Sequence, residues 1–251
     1  MAPGRYIASL AAGPLGPLLL LSAGAWAVLL GSGGSTAISA FCGVPAASLD
    51  RSWRTLELAL ALASPRELLI GWVLMVLAMT PPLMAEHVAH LWRGSLARRR
   101  WRALACFGAG ALAAWLAAGA PLVLAAFGLK ALVGAAPGAA LGLALALATA
   151  WQFSAAKQEC LDRCHILRRV PVFGWAADRD CLRYGWIAAA WCILSCWAAM
   201  LVALVADHGH ALLMLALGLA LLAERLRRPR RRRRADRALA EWVAGSLVRR
   251  K

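Results

Sequence analysis

The sequence predicts an all-α, polytopic membrane protein with about six transmembrane helices and both termini in the cytoplasm. Hydrophobic residues make up 62% of the 251 residues and charged residues only 16%, whereas soluble domains are usually close to half apolar. This composition excludes a freely soluble globular enzyme. It also excludes disorder of most of the chain, because so much apolar surface would not stay unpacked.

Six apolar stretches are each long enough to cross a hydrocarbon core about 30 Å thick. They are rich in Leu and Ala without strict alternation, which favours helices over barrel strands. With segment 31–65, which we expect at the outer membrane interface, they form a predicted transmembrane domain over 1–226. The first stretch is alternatively a cleaved signal peptide. The predicted spans are 14–30, 68–91, 103–127, 136–156, 184–206 and 210–225.

The distribution of positive charge predicts the orientation of these spans. Lys and Arg number 28 against 12 Asp and Glu, and most of the basic residues follow the second span, the fourth span and the last span. Cytoplasmic segments of membrane proteins carry such an excess of Lys and Arg. We therefore expect a multi-pass protein of the cell inner (cytoplasmic) membrane. The basic residues on the other side are Arg51, Arg54, Arg66 and Lys130.

The last segment, 227–251, reads as a basic amphipathic cytoplasmic tail. A dense run of arginines includes all residues of 230–234, and Leu239, Trp242, Val243 and Leu247 follow it at helical spacing. Such a segment is typical of a helix resting on anionic lipids. Arginine runs also bind nucleic acids, but no base-reading motif accompanies this one. We expect the lipid bilayer as its partner and no nucleic acid.

The fifth span carries three sulfur atoms at helical spacing. Cys192, Cys196 and Met200 are four residues apart in turn, which places them on one helix face. Thiolate and thioether ligands select Cu(I), and thiolates also suit Zn(II). Free cysteines pack equally well as small apolar side chains, so both a metal site and core packing stay open.

A second group of cysteines lies at the end of the fourth span. Cys160 and Cys164 share a helix face, and His165 follows directly. Basic neighbours at Lys157 and Arg163 would lower the pKa of these thiols, which favours metal binding or redox chemistry. The CxxC spacing of a zinc ribbon is absent. A purely structural loop is the alternative interpretation.

The second span contains ionisable and sulfur-bearing residues on both sides of a Pro81-Pro82 pair. Two prolines should kink or break the helix and free backbone carbonyls. Ionisable residues inside a span are functional candidates by default, unless they already lie among the lipid headgroups. The candidate metal ligands here are Met75, Met79, Glu86, His87 and His90.

The order of these motifs resembles the DUF2182 family, which is described as predicted metal-binding integral membrane proteins. The likeness covers roughly residues 66–228 and implies metal binding and copper handling. The chain has Ser195 where the family has the first of two adjacent cysteines, and Thr80 where it has a second Met. The matching residues are Trp72, Met75, Ala78, Met79, Pro81, Lys157, Cys160, Leu161, Cys164, Cys192, Cys196, Trp197 and Met200.

Together these patterns predict a membrane protein that binds a soft metal ion, copper before zinc, for handling, delivery or transport. A metalloenzyme or another membrane protein would be its partner. One alternative is a structural or assembly subunit, in which Gly134, Gly138, Gly142 and the basic tail dock a partner. Another is a thiol oxidoreductase using Cys160 and Cys164. Without a phosphate loop or paired buried carboxylates, hydrolase or kinase activity is not expected.

Overall fold

The computed structural model describes residues 13–31, 65–133, 138–171, 173–206 and 209–226, and within these ranges it contains helices and no strands. The predicted all-α class is confirmed for this part of the chain. The tail 227–251 and nearly all of segment 31–65 lie outside it. The helices are α1 (Leu15–Gly31), α2 (Pro65–Gly94), α3 (Arg100–Val133), α4 (Ala139–Gln152), α5 (Ala155–Arg163), α6 (Gly174–Val205) and α7 (His210–Leu226), with a 3₁₀ turn at Ala97–Arg99.

Three helical segments are long and apolar enough to cross a membrane, namely Leu69–Gly94, Ala97–Val133 and Gly174–Val205. The pair α4 and α5 makes a fourth if it forms one bent span, and α1 is a shorter apolar helix. The length and composition of these helices are consistent with a membrane protein. The count of six spans and the cytoplasmic termini stay predictions.

Helix α2 runs without interruption through Pro81 and Pro82, so of the predicted kink or break, the break does not occur. Pro82 has no N–H to donate to the carbonyl of Ala78, one turn earlier. The hydroxyl of Ser22, on α1, donates to that carbonyl at 2.5 Å instead. A neighbouring helix thus supplies the hydrogen bond that the proline removes.

The fourth predicted span, 136–156, is not one straight helix. Helix α4 ends at Gln152, α5 begins at Ala155, and the two helices meet at an angle of 69°. Ser154 caps α5, because its Oγ accepts a hydrogen bond from the backbone N–H of Lys157 at 3.1 Å. The bend moves Cys160 and Cys164 onto a separate short helix and its final turn, which pack against α6.

Helix α6 lies at the centre and packs against α2, α3, α4, α5 and α7. Its closest approach is to α3, where a Cβ on Gly110 would overlap the carbonyl of Leu182 and a Cβ on Gly185 would overlap that of Phe107. Small residues allow such contact between helix backbones. By contrast, a Cβ built on Gly142, one of the three glycines that the sequence offers for docking a partner, meets no atom of the described residues within 4 Å.

Ion pairs and hydrogen bonds gather several helix ends at one end of the bundle. Arg99 and Arg102 both pair with Asp178 of α6, the second at 2.6 Å. His90, near the end of α2, donates to the carbonyl of Arg168 at 3.1 Å. The basic segments that follow α2 and α5 therefore lie side by side, in agreement with their predicted placement on one face of the membrane.

Candidate metal centre

Two cysteine thiols meet on the inward face of α6. Cys192 and Cys196 are 1% and 2% exposed and lie one helical turn apart on α6, so their side chains share one face of the helix. Met200, one further turn along the same helix, is equally buried. The predicted sulfur column therefore faces the interior of the bundle.

A third thiol approaches this pair from another helix. Cys164 follows α5, and its Sγ lies 3.9 Å from the hydroxyl of Ser195, which itself donates to the carbonyl of Cys192 at 2.7 Å. Burial raises the pKa of the Cys164 thiol to about 12, because the thiolate loses its hydration, although the charge of Arg225 acts in the opposite direction. The expected lowering of this pKa by basic neighbours is therefore not found.

The guanidinium of Arg225, at the end of α7, lies beside the cysteines. Its Nη1 donates to the carbonyl of Cys164 at 3.4 Å, and the side chain lines the same small cavity as Cys192 and Cys196. Its Nη2 is buried and has no hydrogen-bond partner. The neighbouring Glu224 pairs with Lys157 at 2.9 Å, and no described carboxylate pairs with Arg225. The positive charge therefore faces sulfur.

A small cavity separates the thiol pair from α2, α5 and α7. Its volume is about 10 Å³, roughly what a single water-sized sphere occupies. Its lining combines cysteines and charged side chains with leucines, and at this volume it fits an ion better than an organic molecule. The lining residues are Leu83, Leu161, Cys192, Ser195, Cys196, Leu221, Glu224 and Arg225.

Both ring nitrogens of His87 already hold hydrogen bonds within the protein. The Nε2 atom lies 2.8 Å from the carbonyl of Cys164, and Nδ1 lies 2.8 Å from the hydroxyl of Tyr184. A carbonyl only accepts, so we assign the hydrogen to Nε2 and a hydrogen bond from the tyrosine to Nδ1. His87 and His90 thus hold the segment from Cys164 to Arg168 against α2.

His165 differs from His87 because only one of its two ring nitrogens has a hydrogen-bond partner. Its Nδ1 lies 3.1 Å from Oε2 of Glu86, and its Nε2 is buried without a hydrogen-bond partner. A carboxylate behind one ring nitrogen orients many metal-binding histidines, because it fixes the ring and leaves the other nitrogen as an acceptor. Glu86 and His165 are separate candidate ligands in the sequence, and the structure brings them together with the geometry of a supported ligand, directly beside Cys164 in the chain.

The remaining predicted ligands lie in the core. Met75 and Met79 of α2 are 3% and 4% exposed, and the methyl group of Met79 reaches the surface of α7 at Gly218. Cys160 is buried on α5. Within the described part of the chain, no group of three or more His, Cys, Asp or Glu side chains is arranged to hold a metal ion.

Three residues of this centre are not predicted by the sequence patterns above: Arg225, Ser195 in its contact with Cys164, and Tyr184. An ionisable residue at the end of an apolar stretch is a signal for Arg225. That signal does not identify its neighbours, because the contact joins helices that are distant in the sequence.

Comparison with known proteins places the chain in a family. The family model PpoB2, described as a copper chaperone, matches residues 69–248, a range that includes every candidate ligand and Arg225. No curated protein and no solved structure gives a match. The matched model relates the chain to copper, the metal that the sulfur pattern favours, but it does not carry the DUF2182 name. The chain belongs to the PpoB2 copper chaperone family.

Proposed function

We propose that this protein is a membrane-integrated copper chaperone that binds Cu(I) between the thiolates of Cys192 and Cys196 and passes it to an acceptor protein. The observation that carries this proposal is a pair of buried thiols, one turn apart on one face of α6, that line the same small cavity. Thiolates are soft ligands that favour Cu(I), although they also bind Zn(II). The family match supports the choice of copper.

The donor set favours Cu(I) over Zn(II). Structural zinc sites almost always have four ligands, and catalytic sites have three protein ligands and a water. No such cluster of His, Cys, Asp or Glu occurs among the described residues. Cu(I) is a soft monovalent ion that a pair of thiolates satisfies, so the Cys192 and Cys196 pair is sufficient for it.

Delivery requires a route away from the thiol pair. Cys164 lies on the far side of Ser195, and the unpartnered Nε2 of His165 follows it in the chain. We propose that Cu(I) leaves by ligand exchange, first onto the sulfur of Cys164 and then onto His165, which Glu86 orients. In this scheme His87 and His90 hold the exit segment in place, and Met75, Met79, Met200 and Cys160 surround the route with soft side chains.

The proposal includes the membrane in which the protein lies and its orientation there. We place the protein in the cell inner membrane, with the basic tail on anionic lipid and the acceptor metalloenzyme on the side where the basic segments lie. The thiols on that side would stay reduced in the cytoplasm. Radiolabelled or fluorescent tagging of the tail, combined with protease access in sealed vesicles, tests the orientation.

Copper stoichiometry tests the binding site. The protein is purified in detergent under anaerobic, reducing conditions, loaded with Cu(I), desalted and analysed for copper by mass spectrometry. We expect stoichiometric copper in the wild type and its loss in Cys192→Ser/Cys196→Ser. The matched control is Cys106→Ser, which removes a partly buried thiol on α3 and should leave copper bound. A copper-free wild type would instead favour the assembly-subunit hypothesis.

A further inference from the structure

We propose that Arg225 is the counter-charge of the copper site, so that it sets the preference of the thiol pair for a monovalent ion. This inference rests on the proposed function. Binding releases one proton from each of Cys192 and Cys196 to solvent and forms two Cu–S bonds, with no change of oxidation state. One positive ion between two thiolates leaves a complex with a net negative charge.

A net negative charge inside a helix bundle is unfavourable unless an opposite charge accompanies it. Arg225 supplies that charge at the required place. Its guanidinium donates to the carbonyl of Cys164, and the side chain lines the small cavity beside Cys192 and Cys196.

Two further observations indicate that the guanidinium of Arg225 can accommodate an additional anionic hydrogen-bond acceptor. The Nη2 atom of Arg225 is buried without an acceptor on a wall of the cavity beside the thiols, and an unsatisfied buried donor is costly. The nearest acidic neighbour in the chain, Glu224, is held by Lys157. The charge of Arg225 is thus left uncompensated within the described residues, and an anionic copper complex would both accept the hydrogen bond and balance the charge.

The inference makes Arg225 a specificity-determining residue. A divalent soft ion such as Hg(II) forms a neutral complex with the same two thiolates, so it gains little from a neighbouring positive charge. The Cu(I) complex has a net negative charge, so it is attracted by the positive charge of Arg225. A residue that merely keeps the thiols in position would instead support both ions equally, and this difference separates the two roles.

The test compares the affinities of Cu(I) and Hg(II) in the full chain, measured in detergent by competition with a Cu(I) chelator and with a small thiol. We expect Arg225→Met to weaken Cu(I) binding about 10- to 100-fold, as expected for loss of a nearby charge in a partly buried site. Hg(II) binding should change less than about threefold, because its complex is neutral. Arg225→Lys should retain Cu(I) binding.

Two variants complete the design. Arg225→Gln keeps N–H donors without the charge and should lose Cu(I) affinity like Arg225→Met, so it carries the test if the methionine variant does not fold. Arg163→Met removes an arginine that stacks on Trp191 and should affect neither ion. Equal losses of Cu(I) and Hg(II), or unchanged Cu(I) affinity in both neutral variants, would overturn the inference while leaving the copper site intact. A wild type without Cu(I) affinity would overturn the proposed function itself.

Discussion

His87 donates a hydrogen bond from Nε2 to the carbonyl oxygen of Cys164, 2.8 Å away. Because Tyr184 occupies the other ring nitrogen, the imidazole joins α2, α6 and the segment after α5 in a single buried network. The contact fixes the backbone that carries the third thiol. His87, a candidate metal ligand in the sequence, therefore holds the backbone of Cys164 in position in the structure.

Replacement of this histidine should release Cys164. We expect His87→Phe to lower the free energy of unfolding by about 1–3 kcal/mol, because the Cys164 carbonyl and the Tyr184 hydroxyl would lose a buried partner. Alkylation of Cys164, followed by peptide mass spectrometry, should become faster. Tyr184→Phe is the matched control, since it removes the hydrogen bond to Nδ1 and leaves the contact with the carbonyl. Unchanged protection of Cys164 in His87→Phe would contradict this role.

The Ser22 hydroxyl should stabilise the fold only because Pro82 cannot donate a hydrogen bond. Ser22→Ala leaves the Ala78 carbonyl unpaired, which should cost about 1–2 kcal/mol. Pro82→Ala restores an N–H one turn after that carbonyl, so Ser22→Ala should cost less in that background. A double-mutant cycle of unfolding in detergent measures the coupling. Strictly additive effects would show that the serine and the proline act independently.

The crossing of α3 and α6 should not tolerate a methyl group at Gly185. A Cβ there overlaps the backbone carbonyl of Phe107, so Gly185→Ala should destabilise the protein by about 1–3 kcal/mol as the helices separate. Gly142→Ala is the control, because its Cβ would meet no neighbour. It should be neutral or slightly stabilising, since alanine favours a helix. Thermal unfolding of the two variants in detergent distinguishes them, and similar midpoints would refute the close packing.

His165 should act in copper release rather than in retention. We expect His165→Ala to keep stoichiometric Cu(I) and to slow its transfer to an added Cu(I) chelator, because the exit ligand is missing. Glu86→Gln should show a weaker effect in the same direction, of about 10-fold or less, since it removes only the group that orients the ring. The control is Cys106→Ser, which lies on α3 outside the proposed route and should transfer copper at the wild-type rate. Equal transfer rates in His165→Ala and wild type would exclude the proposed route.

The sequence predicts the helical class well because apolar composition and spacing act locally. The sulfur column is predicted for the same reason: Cys192, Cys196 and Met200 share a face in any α-helix. The continuity of α2 through Pro81 and Pro82 could not be predicted in this way. It depends on a hydroxyl contributed by Ser22, on a different helix.

The composition of the site is predicted only in part for a related reason. The contact of Cys164 with Ser195 depends on the 69° bend between α4 and α5, and the approach of Arg225 depends on how α7 packs. Neither contact produces a pattern of residues that can be recognised in the local sequence. The roles of His87 and His165 likewise follow from their hydrogen-bond partners. Both ring nitrogens of His87 hold hydrogen bonds within the protein, whereas His165 is held through Nδ1 alone.

X-ray absorption at the copper edge tests the central claim most directly, because it reports the oxidation state and the ligand atoms together. For the anaerobically loaded protein we predict Cu(I) with sulfur as its nearest neighbours, and loss of this signal in Cys192→Ser/Cys196→Ser but not in Cys106→Ser. A copper ion surrounded by nitrogen or oxygen, or a sulfur signal that survives the double substitution, would contradict the assignment of the site to the thiol pair on α6.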